Sequence, residues 1–214
     1  MEYVVNEKNA KITLQIIEAI HTNAAYLSEI DGATGDGDHG VNMDKGFMMA
    51  KERIQLSMNF SESLKVLGRT LVMDIGGSMG PIYGTMFSRL SRRFKKEERI
   101  TKEVMVEALN SSIDGLMELA GAKIGDKTLL DTLYPATDAF TQAMNQQKSF
   151  KDCLIALSKG AEDGKESTKD MVAKIGRAAR LGERSRGFLD AGATSCCIIL
   201  QTMTSAMIEE LDSE

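Results

Sequence analysis

Ile12-Thr13-Leu14-Gln15-Ile16-Ile17-Glu18-Ala19-Ile20, continued by Ala24 and Leu27, decides the class of fold. Ile12, Ile16, Ile20, Ala24 and Leu27 recur at steps of three or four, which lines them up on one face of a helix. The spacing predicts an amphipathic helix that ends before Asp31. The same pattern repeats along the chain. A second helix is predicted from Asn42 to about Met58. A third starts at Ser61 with Leu64, Leu67, Leu71 and Ile75 inward, and a fourth carries Ile82, Met86 and Leu90 and closes on Arg92, Arg93, Lys95 and Lys96, where cations suit a helix C-terminus. A fifth begins at Thr101 and ends at Gly121. A sixth runs from about Leu129 towards Asn145, with Pro135 as a kink or late start. Ser149 caps a seventh that extends towards Lys174, weakened by Gly160 and Gly164, and the last spans about Ala193 to Leu211.

Eight helices with no clear strand, no repeat and no linker predict an all-α fold: one domain over residues 1–214, an antiparallel bundle or barrel of about eight helices. Short connections favour antiparallel neighbours. The irregular stretches 31–42, 76–81, 121–128 and 176–192 follow helices one, three, five and seven. In an up-down arrangement they gather at one rim, where a site would be assembled.

Composition narrows the function. Hydrophobic residues make up 43% and charged residues 27% of 214, enough for a real core. A net charge of −5 argues against a nucleic-acid binder. Cys153, Cys196 and Cys197 are an odd set with two in an apolar run, so reduced thiols and a cytoplasmic location are expected. The N-terminus lacks a signal-peptide pattern, and no apolar stretch reaches about 18 residues, so no membrane span is expected.

The acidic stretch is Asp31-Gly32-Ala33-Thr34-Gly35-Asp36-Gly37-Asp38-His39-Gly40-Val41-Asn42. Carboxylates crowded together cannot all be buried ionised without a cation. Hard oxygen donors suit Mg²⁺ or Ca²⁺, not Zn²⁺. Asp-Gly pairs also make ordinary turns. An EF-hand fails in both registers: Val41 and Phe47, or Asp36 and Asn42, stand where glycine and glutamate are required. Gly76-Gly77-Ser78-Met79-Gly80-Pro81 lets a ligand approach the backbone ahead of a helix N-terminus, or is a tight interhelical turn. It is neither a Walker A motif nor a Rossmann turn. Gly125-Asp126-Lys127-Thr128 reads as a cap of the sixth helix, with Lys127 a surface lysine in preference to one that faces a phosphate. Four arginines between Gly176 and Gly187 offer forks for phosphate oxygens, and Asp190 stands near the N-cap of the last helix.

Gly35-Asp36-Gly37-Asp38-His39-Gly40-Val41-Asn42, Gly76 to Gly84, Gly125 to Thr128, and Gly176 to Ser195 occur in one order. Together they resemble the ADP-binding L subunits of phosphotransferase-system-dependent dihydroxyacetone kinases, over nearly the whole chain. The resemblance implies an eight-helix antiparallel barrel with ADP at one rim. It implies two Mg²⁺ ions on Asp31, Asp36 and Asp38. His39 and Asn42 would lie near the phosphates, with Gly77, Ser78, Met79 and Gly80 as their cradle. Gly121 and Leu129 would lie near the adenine, Arg177 at the nucleotide as the catalytic charge, and Asp190, Ala191 and Gly192 in the closing segment. Relatives often have a small hydroxyl residue where Met79 stands, and proline at Ala191.

The resemblance further implies a phosphoenolpyruvate-dependent glycerone phosphotransferase of glycerol metabolism. Bound ADP would be phosphorylated to ATP by a phosphohistidine on an M subunit, and the phosphoryl group passed to dihydroxyacetone on a K subunit. Two alternatives stand beside it: an ATP-exchanging kinase subunit for a related ketose, and a nucleotide-sensing partner of a transcription regulator.

Overall fold

Ile12, Ile16, Ile17 and Ile20 are all fully buried and make one stripe along the first helix. The computed structural model describes residues 2–212. In chain order its elements are β1 (Val4–Val5), α1 (Lys11–Thr22), α2 (Ala24–Thr34), α3 (His39–Lys51), α4 (Phe60–Asp74), α5 (Met79–Phe94), β2 (Arg99–Ile100), α6 (Lys102–Ala120), α7 (Leu130–Asn145), α8 (Phe150–Ser167) and α9 (Ala191–Asp212). Two 3-10 segments, Thr168–Asp170 and Ala178–Ser185, lie between α8 and α9.

From α3 to α9 each helix packs on the next, and α1 closes the ring by packing on both α9 and α3. α2 keeps the neighbours of α1, namely α3 and α9, so the two share one position in the ring. The fold is therefore the expected all-α barrel of eight positions. Fully buried Met43, Phe47, Leu64, Phe87, Phe140, Leu154 and Ile199 belong to its core, and Phe47 meets Phe87 edge to face at 5.8 Å. Each such side chain contributes about 1.5–3 kcal/mol on leaving water. The segment Ala191–Leu211 of α9 is long and apolar enough to cross a membrane, but two thirds of it is buried inside the protein. It is a core helix: α1, α2, α7 and α8 all pack on it.

The structure corrects several boundaries. The first predicted helix breaks at Asn23, whose side-chain amide donates to the Ala19 carbonyl at 2.8 Å, a local bond that competes with the helical ladder. α2 then runs past Asp31 to Thr34, so Asp31 is helical. The second predicted helix starts at His39 and stops at Lys51. The third is capped by Asn59, not Ser61, through a capping box with Glu62. Pro135 sits in the second turn of α7 without delaying its start. α8 runs through Gly160 and Gly164 without a break. They let α7 approach: a Cβ at Gly164 would stand 2.5 Å from the Asp131 carbonyl, and one at Gly160 2.8 Å from that of Pro135. α8 ends at Ser167, short of Lys174.

β1 and β2 pair antiparallel, with Val4 opposite Ile100 and Val5 opposite Arg99. Two-residue strands offer too little alternation to be read from sequence. They sit at the rim opposite the four irregular connections, where buried Asn6 is the tie. Its amide nitrogen donates to the carbonyls of Phe94 (3.0 Å) and Glu97 (2.8 Å), and its amide oxygen accepts from the Ser61 N–H (2.9 Å). Its main chain bonds Glu98 and Phe60. The N-terminal segment thus closes the far end of the barrel across α4 and α5. Replacing Asn6 by Ala leaves the buried Ser61 N–H and the half-buried Glu97 carbonyl without that partner, while the Phe94 carbonyl keeps the Glu97 N–H. Urea denaturation is expected to show a loss of about 2–4 kcal/mol at unchanged slope.

Candidate functional site

Asp31 lies in the last turn of α2, where a helix C-terminus disfavours a negative charge. Asp36 and Asp38 follow in the tight turn to α3, on either side of Gly37, whose φ of +75° is the left-handed conformation that suits glycine. Asp38 holds the N-cap position of α3, yet its carboxylate makes no capping bond. The three side chains converge instead, with Asp31 half-buried and Asp36 and Asp38 exposed: one carboxylate oxygen from each lies within 4.8 Å of the others. Among the described residues the cation against them is Arg177, whose guanidinium pairs with Asp36 and stands 3.5 Å from Asp38. A donor set made only of carboxylates and balanced by one exposed arginine fits a hard divalent cation.

Behind this cluster runs a hydrogen-bonded chain from three helices. His39 opens α3 and its N–H donates to Asp31 at 3.4 Å. Its Nε2 meets the Ser195 hydroxyl of α9 at 2.9 Å. Ser195 in turn lies 2.5 Å from the hydroxyl of Tyr83 on α5, which donates to the Gly192 carbonyl. Burial pulls the His39 imidazole below its ordinary pKa, against the opposing charge of Asp31. Burial likewise pushes the Tyr83 phenol well up.

Asp190 is the N-cap of α9. Its carboxylate accepts from the Ala193 N–H at 2.7 Å, and its carbonyl takes both the N–H and the hydroxyl of Thr194. Burial pushes its carboxyl up to about 6. The Ala193 bond and nearby Lys127 oppose the rise, while Asp131 and Asp31 add to it. Gly192 lies beside Leu129: a Cβ there would stand 3.6 Å from the Leu129 nitrogen. Leu129 itself is buried at the start of α7. The loop ahead of α7 is built on Asp131, whose two oxygens accept from Gly125 (2.5 Å) and Thr128 (2.8 Å).

α5 opens at Ser78, and no side chain caps it. Gly77 has φ +73° and open space around it. Gly80, by contrast, packs inward, where a Cβ would stand 2.4 Å from the Ile75 carbonyl. Met79 is partly buried against the core, leaving exposed Ser78 as the hydroxyl of this turn. Gly121 ends α6 in the left-handed conformation, facing open space. Ala191 is buried, and its carbonyl accepts from the Ser195 hydroxyl. The half-buried Asn42 amide has no hydrogen-bond partner among the described residues.

The structure thus brings together Asp31, Asp36, Asp38 and Arg177. It joins His39 to the 190–192 segment, and that segment to Leu129. Gly77, Ser78 and Gly121 remain open on their own connections. Sequence reasoning missed Tyr83, Ser195, Asp131 and the burial of Lys127. Asp131 carried a signal: Thr128-Leu129-Leu130-Asp131 has the spacing of a capping box, of which the structure forms the half in which Asp131 accepts from the Thr128 N–H. Tyr83 and Ser195 lie within the stretches that carry the resemblance, but nothing local signals their pairing, since the partners are distant in the chain.

Residues 33–205 match the family model described as the DAK2 domain. The ADP-binding subunit DhaL of the PEP-dependent dihydroxyacetone kinase of Escherichia coli is 35% identical over 190 residues, 88% of this chain and 90% of that one. The corresponding subunit of the PTS-dependent enzyme of Lactococcus lactis is 34% identical over 188 residues, 87% and 90% of the two chains. Among solved structures, the dihydroxyacetone kinase of C. freundii in complex with AMP-PNP and Mg²⁺ has the same fold, with a TM-score of 0.67 at 22% identity. The match covers 92% of this chain and 33% of that one.

The raised Asp190 pKa gives a signed expectation. The folded protein holds this proton more tightly than the unfolded chain, whose carboxyl titrates near 3.8. The contribution of Asp190 to stability therefore falls as pH rises from about 4 to about 6 and is flat above. Asn keeps the cap without the charge. The unfolding free energy of the wild type minus that of Asp190→Asn, measured in chelator, should drop across that window by no more than about 3 kcal/mol.

Proposed function

This chain belongs to the DAK2 domain family, and on that premise we propose that it is the ADP-binding subunit of a PEP-dependent dihydroxyacetone kinase. It holds an adenine nucleotide at the barrel rim, through which a phosphoryl group passes to dihydroxyacetone. The sugar sits on a partner K subunit, and the donor is a phosphohistidine on an M subunit. A transcription regulator is a further partner in this reading. The cytoplasm is the proposed compartment, consistent with three buried free thiols.

The observation that carries the proposal is the convergence of Asp31, Asp36 and Asp38 at the rim where α3 and α5 begin without side-chain caps. Such a rim offers ligands to a cation and N–H donors to an anion side by side. The three aspartates would hold Mg²⁺, which when bound supplies neutralisation of diphosphate charge. The open N–H groups around His39 and around Ser78, Met79 and Gly80 donate to phosphate oxygens. His39 is steadied from behind by Ser195 and presents its ring at the rim with Asn42. Arg177 supplies a fixed positive charge where a transferring phosphoryl group accumulates negative charge. Gly121 and Leu129 flank the base. Asp190, Ala191 and Gly192 close the site through their ties to Tyr83 and Ser195. The anchor and base for the sugar lie on the K subunit in this reading, so the chain by itself does not turn over.

Mass spectrometry of the purified protein should detect co-purifying ADP, and calorimetry with Mg²⁺ should give tight ADP binding. Asp36→Asn should weaken that binding by at least roughly a hundredfold, since several kcal/mol of metal-mediated attraction are lost. Absence of nucleotide in both measurements on the wild type would overturn the reading.

A further inference from the structure

The lysine of the 125–128 turn is not at the surface. Lys127 is 2% exposed, and it adopts φ +64°, a conformation that costs a non-glycine residue energy. Its ammonium group donates to three main-chain carbonyls, those of Ser185 (2.5 Å), Phe188 (2.8 Å) and Met171 (3.3 Å). An ammonium has three hydrogens, so its donors are fully used and none is left for a phosphate. No carboxylate pairs with it among the described residues. Burial lowers its pKa, with the charge of Asp190 opposing.

All three acceptors belong to one arm, residues 171–188, which spans most of the connection between α8 and α9. The arm buries little of its own: only Ala173 and Ser185 are fully buried between 171 and 188. What holds it is polar. Lys174 donates its N–H to the Asp126 carbonyl, Gly187 to that of Lys169, and Ala173 to the Ser185 hydroxyl. A segment so poor in apolar contacts opens easily unless something ties it down. Arg177 rides in the middle of this arm and is itself 56% exposed, yet it reaches Asp36 and Asp38.

We propose that Lys127 is a positioning residue whose ammonium pins the 171–188 arm over the rim and so holds Arg177 against the carboxylate cluster. The pin reads main-chain carbonyls, not side chains. Met171 stands 14 and 17 positions before Ser185 and Phe188, so one nitrogen can meet all three only when the arm is folded back. The nucleotide part of the following test rests on the function proposed above; the exchange part does not.

Hydrogen exchange of the full chain in Lys127→Met should speed up at the amides of Ala173, Lys174 and Gly187 by on the order of a hundredfold, while α4 to α6 keep their protection. Calorimetry with Mg²⁺ and ADP should show affinity falling by on the order of tenfold in Lys127→Met and in Arg177→Ala. The double variant should lose little more than the worse single one, because both remove the same presented charge. Unchanged exchange in the arm, equal acceleration throughout the chain, or additive affinity losses would each overturn the proposal. If the wild type binds no nucleotide, the functional reading fails while the exchange result still decides the pin. Lys127→Gln is read in the same way if Lys127→Met does not fold.

Discussion

A ring of antiparallel helices closes only on an even number of positions, and most of this molecule follows from that constraint. Counted as nine helices the ring would not close with alternating directions. It closes because α1 and α2 share one position, broken at Asn23 without a reversal of neighbours. Alternation then sends α3, α5, α7 and α9 away from the same rim. That rim collects four helix N-termini, each the positive end of an aligned set of peptide dipoles. The carboxylates of Asp31, Asp36 and Asp38 stand among them, and the 171–188 arm folds over the same end.

The rim is therefore a place of opposed charges held at close range. Asp31 stands at an unfavourable helix end, and Asp38 forgoes the capping bond its position offers. Both arrangements cost stability in isolation. They become reasonable where a cation and an anion are to be held together, because each bound charge then offsets the other's desolvation. Arg177 contributes the one guanidinium that contacts the cluster among the described residues.

The ring was legible in the sequence because its helices are long and strongly periodic. Ile12, Ile16 and Ile20 could face only one way, and the alternation of helices with Gly-rich connections placed those connections at one end. Boundaries set by single polar side chains were not legible. Nothing in the spacing says that Asn23 would turn its amide back on Ala19; the cap at Asn59 did carry a signal, since Glu62 stands three positions on, but Ser61 competed for it. The acidic cluster was readable from local crowding, and its partner Arg177 from the resemblance. The bond between Tyr83 and Ser195 was invisible because 112 residues separate them. Lys127 was misread as a surface residue, since its burial depends on carbonyls 44 to 61 positions downstream.

Asn6 fastens the opposite end of the barrel, through five bonds that span the strand pair and the helices beside it. Rigidity and reactivity are thus housed at separate poles. The end with the carboxylates can tolerate uncapped helices, a lysine in the left-handed conformation and a thinly packed arm, because cohesion is secured one helix length away. Substitutions that stiffen the fastened pole leave the other free to vary, so this architecture loosens the usual conflict between a durable scaffold and a strained working surface.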